Sequence, residues 1–147
     1  MIKTEEFSKS GNFAIDALLN YKNRIAESKN IKIKLEQRIP TTLPYKASDL
    51  CIILGNLLDN AIEASENCAN KEIDVYIVYA KNRLKISTKN YYEGEINKDK
   101  EGNFLSKKKD KENHGIGLKS VKKIVSLYNG YIEIQAENSL FKVNILL

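Results

Sequence analysis

GNLLDNAIEAS, at residues 55–65, is the stretch that decides the fold. It lies within residues 48–66, which are apolar over most of a helical surface and predict a deeply packed helix. Asn56, Asn60 and Glu63 stand at i, i+4 and i+7, so they share one face of that helix. Such a polar row is most often a solvent-facing stripe. The alternative is a row of ligands for a cation and for phosphate oxygens, since Asn oxygens suit Mg²⁺.

A second informative stretch is HGIGL, at residues 114–118, which leads into another predicted helix. Glycines allow the backbone to approach an anion, and a helix N-terminus offers unpaired N–H groups and the positive end of the helix dipole. Taken alone, the stretch is weak support for a phosphate site. It is not a Walker A sequence, and it does not follow a strand as a dinucleotide fingerprint would.

Hydrophobic periodicity supplies the remaining elements. It predicts helices over residues 12–29, 48–66 and from 118 onward, and strands over residues 31–39, 73–79, 84–88, 131–136 and 141–146. A polar, Lys-rich stretch separates the third strand from the third helix. This order predicts one α+β domain over residues 1–147. It is a two-layer sandwich, with a mixed, mostly antiparallel sheet of about five strands covered on one face by three helices.

The ends and faces of the helices can also be predicted. Ser10 or Asn12 should cap the first helix, and Ser48 or Asp49 the second. The first helix should bury the face that carries Ala14, Leu18, Tyr21 and Ile25.

Composition narrows the classes of function. The net charge of +5 fits an anionic ligand, either ATP or nucleic acid. The chain lacks the aromatic–basic interleaving of RNA-binding proteins, so we expect no nucleic-acid partner. No apolar run approaches the ~20 residues that cross a bilayer, so we expect no membrane insertion of this domain. Cys51, Cys68 and His114 do not match a zinc-binding pattern.

Taken in order, these motifs resemble the Bergerat-type ATP-binding fold of the GHKL superfamily, which includes gyrase, histidine kinases and MutL. NLLDNAIEA resembles the N box, HGIGL the second glycine box, and residues 91–113 the ATP lid. The match is closest to sensor histidine kinases of the accessory-gene-regulator and VirS type, the quorum-sensing peptide receptors. It rests on AIDALLNYK (14–22), DLCIILGNLLDNAIEAS (49–65), LSKKKDKENHGIGLKSVKKIV (105–125) and LFKVNILL (140–147).

The resemblance implies a role for the residues of the N box and the glycine box. Asn60 would be the Mg²⁺ ligand, and Asn56 would face the phosphates of ATP. Gly115 and Gly117 would form the hinge of the lid and present backbone N–H groups to the phosphates. The remaining residues that the resemblance places at the ATP site are Lys107 and Lys108 in the lid, His114, Ile116 and Leu118.

One part of the pattern departs from the family. An Asp-x-Gly-x-Gly box, whose Asp accepts a hydrogen bond from the adenine amino group, is replaced by a stretch in which Asn90 takes the Asp position and Gly94 that of the last Gly. An Asn oxygen can still accept that bond. Because it is neutral, it should hold adenine less strongly.

The resemblance also implies a reaction. Superfamily members that hydrolyse ATP carry a Glu base where this chain has Asn56, which cannot take up a proton. This favours phosphoryl transfer to a neutral imidazole, with the ATP γ-phosphoryl group passing to a His on an upstream dimerisation domain. Residues 1–11 would then be the remnant of a linker. The whole protein would be a homodimeric inner-membrane sensor of a bacterium, with this domain in the cytoplasm and a response regulator as its partner.

Two alternatives remain open at this point. One is a Bergerat-fold serine kinase of the anti-sigma-factor type, which Asn56 disfavours because that class keeps a carboxylate base at this position. The other is a non-catalytic nucleotide-binding module that regulates a partner protein. His114 is not expected to be the phosphorylated histidine, because it precedes a glycine loop and does not lie on an exposed acceptor helix.

Overall fold

In the described part of the chain, three helices, a five-stranded sheet and a short two-stranded sheet form the fold. The computed structural model describes residues 6–94, 97–98, 104–105 and 111–147. The helices are α1 (Phe13–Ser28), α2 (Ala47–Glu66) and α3 (Lys111–Leu127). The strands are β1 (Lys32–Arg38), β2 (Glu72–Ala80), β3 (Arg83–Tyr91), β4 (Asn97–Lys98), β5 (Phe104–Leu105), β6 (Tyr131–Glu137) and β7 (Leu140–Leu146). The predicted α+β sandwich is confirmed.

The main sheet is mixed, with the strand order β1-β2-β3-β7-β6. Only β1 and β2 pair in parallel, across the crossover that contains α2, and the other pairs are antiparallel. Two tight hairpins shape it, β2–β3 at Lys81-Asn82 and β6–β7 at Asn138-Ser139. All four turn residues have φ between 53° and 62°. A two-residue hairpin turn needs two successive residues in the left-handed conformation to match the twist of its strands.

The hydrophobic core lies between the helices and one face of the sheet. α2 contributes most to it, with eight buried residues along its length, as its apolar sequence predicted. Along β3 the inward-facing residues alternate with exposed or half-buried ones in the period of a strand. No helix among the described residues is long and apolar enough to span a membrane.

The structure corrects the predicted face of α1. Its buried residues are Ile15, Leu19 and Ala26, whereas Tyr21 is 54% exposed. The predicted face is therefore rotated by about one residue, since apolar residues occupy adjacent positions on this helix. The start of α1 is as expected, because the Asn12 side chain accepts a hydrogen bond from the N–H of Ile15.

The start of α2 also differs from the prediction. The N-cap residue is Lys46, which makes no capping bond with its side chain, so the predicted caps Ser48 and Asp49 are wrong. The N–H of Lys46 instead donates to the hydroxyl of Tyr128, which follows α3. A long-range contact has replaced the local cap.

The described residues that precede α1 contact α1 and β1. The Asp16 carboxylate accepts hydrogen bonds from the hydroxyls of Ser8 and Ser10, both at 2.7 Å, and from the N–H groups of Ser10 and Gly11. The Ser8 hydroxyl also lies 3.1 Å from an oxygen of Gln37 in β1. Partial burial opposes ionisation of Asp16, but these hydrogen bonds outweigh it and lower its pKa. Residues 6–11, expected as a linker remnant, are thus tied to the domain.

Candidate functional site

The candidate site begins with the polar face of α2. Asn56, Asn60 and Glu63 are all half-buried, so this face is neither free in solvent nor packed in the core. The Asn56 Nδ2 atom donates a 2.7 Å hydrogen bond to the carbonyl of Ile52, one turn earlier. That bond fixes one end of the carboxamide and leaves its oxygen directed away from its own helix.

The Asn56 oxygen lies against the start of α3. An ideal β-carbon on Gly117 would be 2.6 Å from Oδ1 of Asn56 and 3.2 Å from its Cγ. Gly117 is buried and helical, and it does not have a left-handed φ. The glycine is therefore required by close approach, because a side chain would meet the carboxamide. The two motifs predicted from the sequence meet at this contact.

The end of β3 brings further polar groups to the helix-facing side of the sheet. Thr88 and Asn90 are 3% and 2% exposed, and they continue the inward row that Leu84 and Ile86 begin. The Asn90 Nδ2 atom donates to the carbonyl of Tyr91 at 3.0 Å, which leaves its side-chain oxygen as an acceptor. Thr88 was not predicted as a site residue, although the strand's alternation marks it as a second inward polar position.

The residues after β3 turn back toward α2. Gly94 has a φ of 83°, a conformation that favours glycine. Beside it, Glu93 accepts a 3.3 Å hydrogen bond from the N–H of Ala69, in the loop that follows α2. The C-terminal ends of α2 and β3 are thereby held together.

α3 begins earlier than the sequence predicted. The helix starts at Lys111, so His114, Gly115 and Ile116, of which the backbone is described, lie within its first turns. Lys and Glu at its start favour a helix, and each glycine costs only about 1 kcal/mol relative to Ala. Only the first four N–H groups of a helix lack partners within it, and Gly115 and Gly117 lie beyond them. Leu118 is buried in the core, and Lys107 and Lys108 lie outside the described residues.

The described residues carry no metal-ligating cluster of three or more His, Cys, Asp or Glu side chains. Asn56 and Asn60 nevertheless fit a Mg²⁺ ion that keeps several waters and shares its remaining positions with substrate phosphates, because carboxamide oxygens suit this hard cation. Cys51 lies in α2 before Asn56, and burial raises the pKa of its thiol, so it is protonated at neutral pH.

Solved structures share this fold. The catalytic domain of histidine kinase ThkA superposes with a TM-score of 0.69 at 20% identity, covering 98% of this chain and 95% of that one. The histidine kinase AdeS of Acinetobacter baumannii gives 0.64 at 17% identity, covering 90% of this chain and 64% of that one. Full-length ShkA in complex with AMPPNP gives 0.69 at 16% identity, covering 99% and 31%. The fold is therefore that of histidine kinase catalytic domains.

Sequence comparison identifies the family. Residues 45–147 match the family model described as a GHKL domain, and the chain belongs to that family. A probable C4-dicarboxylate sensor kinase of Halalkalibacterium halodurans is 34% identical over 93 residues, or 60% of this chain. This chain spans 18% of that relative's length.

Proposed function

We propose that this chain is the ATP-binding catalytic domain of a bacterial sensor histidine kinase. The observation that carries the proposal is the contact of Gly117 with the Asn56 carboxamide, which joins the N-box-like helix to the glycine-box-like helix. Membership of the GHKL family supports it, as does the similarity to a probable sensor kinase and to solved histidine kinases.

ATP would bind between α2, the start of α3 and the end of β3. Asn60 would ligate Mg²⁺ and Asn56 would face the phosphates, since both are half-buried carboxamides on one face of α2. When bound, Mg²⁺ neutralises phosphate charge. The buried oxygen of Asn90 would accept from the adenine amino group, and Gly94 would shape the turn beside it.

The segment that precedes α3 and the first turns of α3 would complete the nucleotide site. We assign Lys107 and Lys108 to contacts with the terminal phosphates. His114, Gly115 and Ile116 would lie next to the phosphate chain, and Leu118 would anchor the helix start in the core, where it is 4% exposed.

The reaction would be phosphoryl transfer without a general base. Asn56 occupies the position of a base and its amide cannot accept a proton at neutral pH. A neutral imidazole needs no base, since its nitrogen already has a lone pair to attack the γ-phosphorus as the bond to the ADP oxygen breaks. This chemistry suits a histidine acceptor better than a serine hydroxyl, which must lose a proton.

The partners follow from the same proposal. The acceptor histidine would belong to an upstream dimerisation domain of a homodimeric protein, and a cytoplasmic response regulator would receive the phosphoryl group. If the chain is a sensor of the accessory-gene-regulator or VirS type, whose motifs it resembles, this domain would lie on the cytoplasmic side of an inner-membrane receptor that acts in quorum sensing.

A binding experiment tests the nucleotide site. ATP is titrated into the chain with and without Mg²⁺, using calorimetry, for the wild type, Asn60→Ala and Asn60→Asp. We expect Mg²⁺-dependent binding that both variants weaken without a change in the thermal unfolding midpoint. Asn70→Ala, on an exposed loop residue, is the matched control and should bind like the wild type. Unchanged affinity in folded Asn60 variants would remove Asn60 from the site.

A transfer experiment tests the reaction. The chain is incubated with γ-labelled ATP, alone and with the upstream dimerisation segment added. We expect acid-labile phosphohistidine on the added segment and none on the chain alone. Acid-stable label on a serine would favour the serine kinase, and binding without any transfer would favour a regulatory module. Label on His114 would contradict a separate acceptor.

A further inference from the structure

The contact between Gly117 and Asn56 places a steric constraint on the side chain of Asn56. Real β-carbons essentially never approach another heavy atom to less than 3.0 Å, and a β-carbon on Gly117 would come within 2.6 Å of the Asn56 oxygen. The three atoms nearest to that position, Oδ1, Cγ and Cβ, all belong to Asn56. A side chain at position 117 would therefore clash with Asn56 before it met any other residue.

Asn56 can move away, but only by giving up a hydrogen bond. Its oxygen is at the far end of a rotatable side chain, so rotation would relieve the clash without moving a backbone. The Nδ2 atom of the same carboxamide is held by the carbonyl of Ile52 at 2.7 Å. Rotation would break or lengthen that bond and redirect the oxygen. A larger residue at 117 should thus displace a functional group rather than unfold the domain.

Neither backbone conformation nor a free N–H group accounts for a glycine at position 117. Its backbone is helical and does not have a positive φ, so conformational freedom is not the reason. Its N–H lies beyond the first four of α3 and is therefore committed to the helix's own hydrogen bonds. The glycine is needed because it has no side chain.

We infer that Gly117 is a positioning residue for the Asn56 carboxamide, so that the packing of α3 on α2 sets the direction of the Asn56 oxygen. The effect on nucleotide rests on the proposed function, whereas the steric coupling does not. Gly117 then acts on the nucleotide through Asn56. The start of α3 and the polar face of α2 are therefore sterically coupled.

Gly55 provides a matched control within the same segment. It precedes Asn56 in α2, and a β-carbon there would meet no atom within 4 Å. Gly55→Ala should therefore leave ATP affinity unchanged and raise the unfolding midpoint, because Ala is the better helix former.

A double-mutant cycle tests the inference. Gly117→Ala, Asn56→Ala and the double variant are compared with the wild type for MgATP affinity by calorimetry and for the thermal unfolding midpoint. We expect Gly117→Ala to weaken MgATP about as much as Asn56→Ala, on the order of tenfold for the loss of one hydrogen bond. In the Asn56→Ala background the same glycine substitution should not weaken binding further, and it should raise the unfolding midpoint.

Each result decides between the possibilities. Equal loss of affinity from Gly117→Ala in both backgrounds would show that position 117 acts on the nucleotide directly, and it would overturn the inference. Wild-type affinity in Gly117→Ala would do the same. If the wild type does not bind ATP, the proposed function fails. The coupling is then still tested by whether Gly117→Ala raises the unfolding midpoint in the Asn56→Ala background and fails to raise it in the wild type. If Gly117→Ala does not fold, a folded double variant supports the coupling and an unfolded one refutes it.

Discussion

The hydroxyl of Tyr128 donates a 2.5 Å hydrogen bond to Oδ2 of Asp49, which joins the end of α3 to the first turn of α2. The same hydroxyl accepts from the N–H of Lys46 at 3.1 Å. The bond to Asp49 raises the pKa of Tyr128, since loss of its proton would place two negative charges side by side. A tyrosine thus performs the capping that the N-cap residue of α2 does not.

Removal of this hydroxyl should destabilise the domain. Tyr128→Phe keeps the edge-to-face contact with Tyr45 at 5.4 Å but loses both hydrogen bonds. We expect a loss of about 1.5–3 kcal/mol in the free energy of unfolding, measured by urea denaturation, as for a hydrogen bond to a charged group. Tyr131→Phe, at a side chain that is 60% exposed, is the control. Equal losses in the two variants would argue against the cap.

The Asp16 network predicts a pH dependence of stability. Because its pKa is lowered in the folded state, the ionised form stabilises the fold above the unfolded pKa of about 4. That contribution is lost as pH falls through the lowered pKa. We expect wild type to be more stable than Asp16→Asn at pH 7, with the difference shrinking below about pH 4. Urea unfolding at a series of pH values measures this, and a constant difference would contradict it.

Two apolar residues of α2 predict contrasting effects of truncation. Leu54 is 0% exposed and Ile52 is 41% exposed. Leu54→Ala should lower the free energy of unfolding by about 2–5 kcal/mol, since it leaves a cavity in the core. Ile52→Ala should change it by less than about 1 kcal/mol. Chemical denaturation of both variants checks the ranking, and similar losses would mean that α2 packs differently.

The β6–β7 turn predicts a stabilising substitution. Ser139 has a φ of 62°, where a residue with a β-carbon is strained. Ser139→Gly should raise the free energy of unfolding by roughly 0.5–1 kcal/mol. Ser126→Gly, in the last turn of α3, is the matched control and should lower it by about 0.5 kcal/mol. A loss of thermal stability in Ser139→Gly would be the contrary outcome.

This chain should hydrolyse ATP only slowly. Asn56 cannot activate water, so ATP turnover by this chain should lie well below the median enzyme rate of ~10 s⁻¹. A coupled assay for released phosphate measures it under steady-state conditions. Turnover near that median would mean that another group supplies the base.

The sequence predicted most of the fold because its signals are local. Periodicity placed the helices and strands, and turn residues such as Asn82 and Asn138 marked both hairpins. The errors concern which face of α1 is buried and where α2 is capped. Tyr21 and Ile15 occupy overlapping apolar faces of α1, and only packing decides which is buried. The bond from Lys46 to Tyr128 joins residues far apart in sequence, so local capping rules could not find it.

The candidate site was predictable in its motifs and not in its contacts. Asn56 and Gly117 each carried a recognisable pattern, but the direct approach of one to the other depends on how α3 packs against α2. Thr88 was missed for a different reason. The predicted strand ended there, whereas β3 continues to Tyr91, so its place beside Asn90 on the inward face was not evident.

The pairing of β3 with β7 has a consequence for how the chain can vary. It joins Thr88 to Val143, so the sheet holds β3 in place whatever the length of the segment between β3 and α3. The entropy of closing a loop rises by only about 0.6 kcal/mol for each doubling of its length. A change in the length of that segment should therefore alter the free energy of unfolding little, whereas a change at Lys107 or Lys108 would alter the proposed phosphate contacts. Homologues can therefore differ in the length of this segment while their sheets stay superposable.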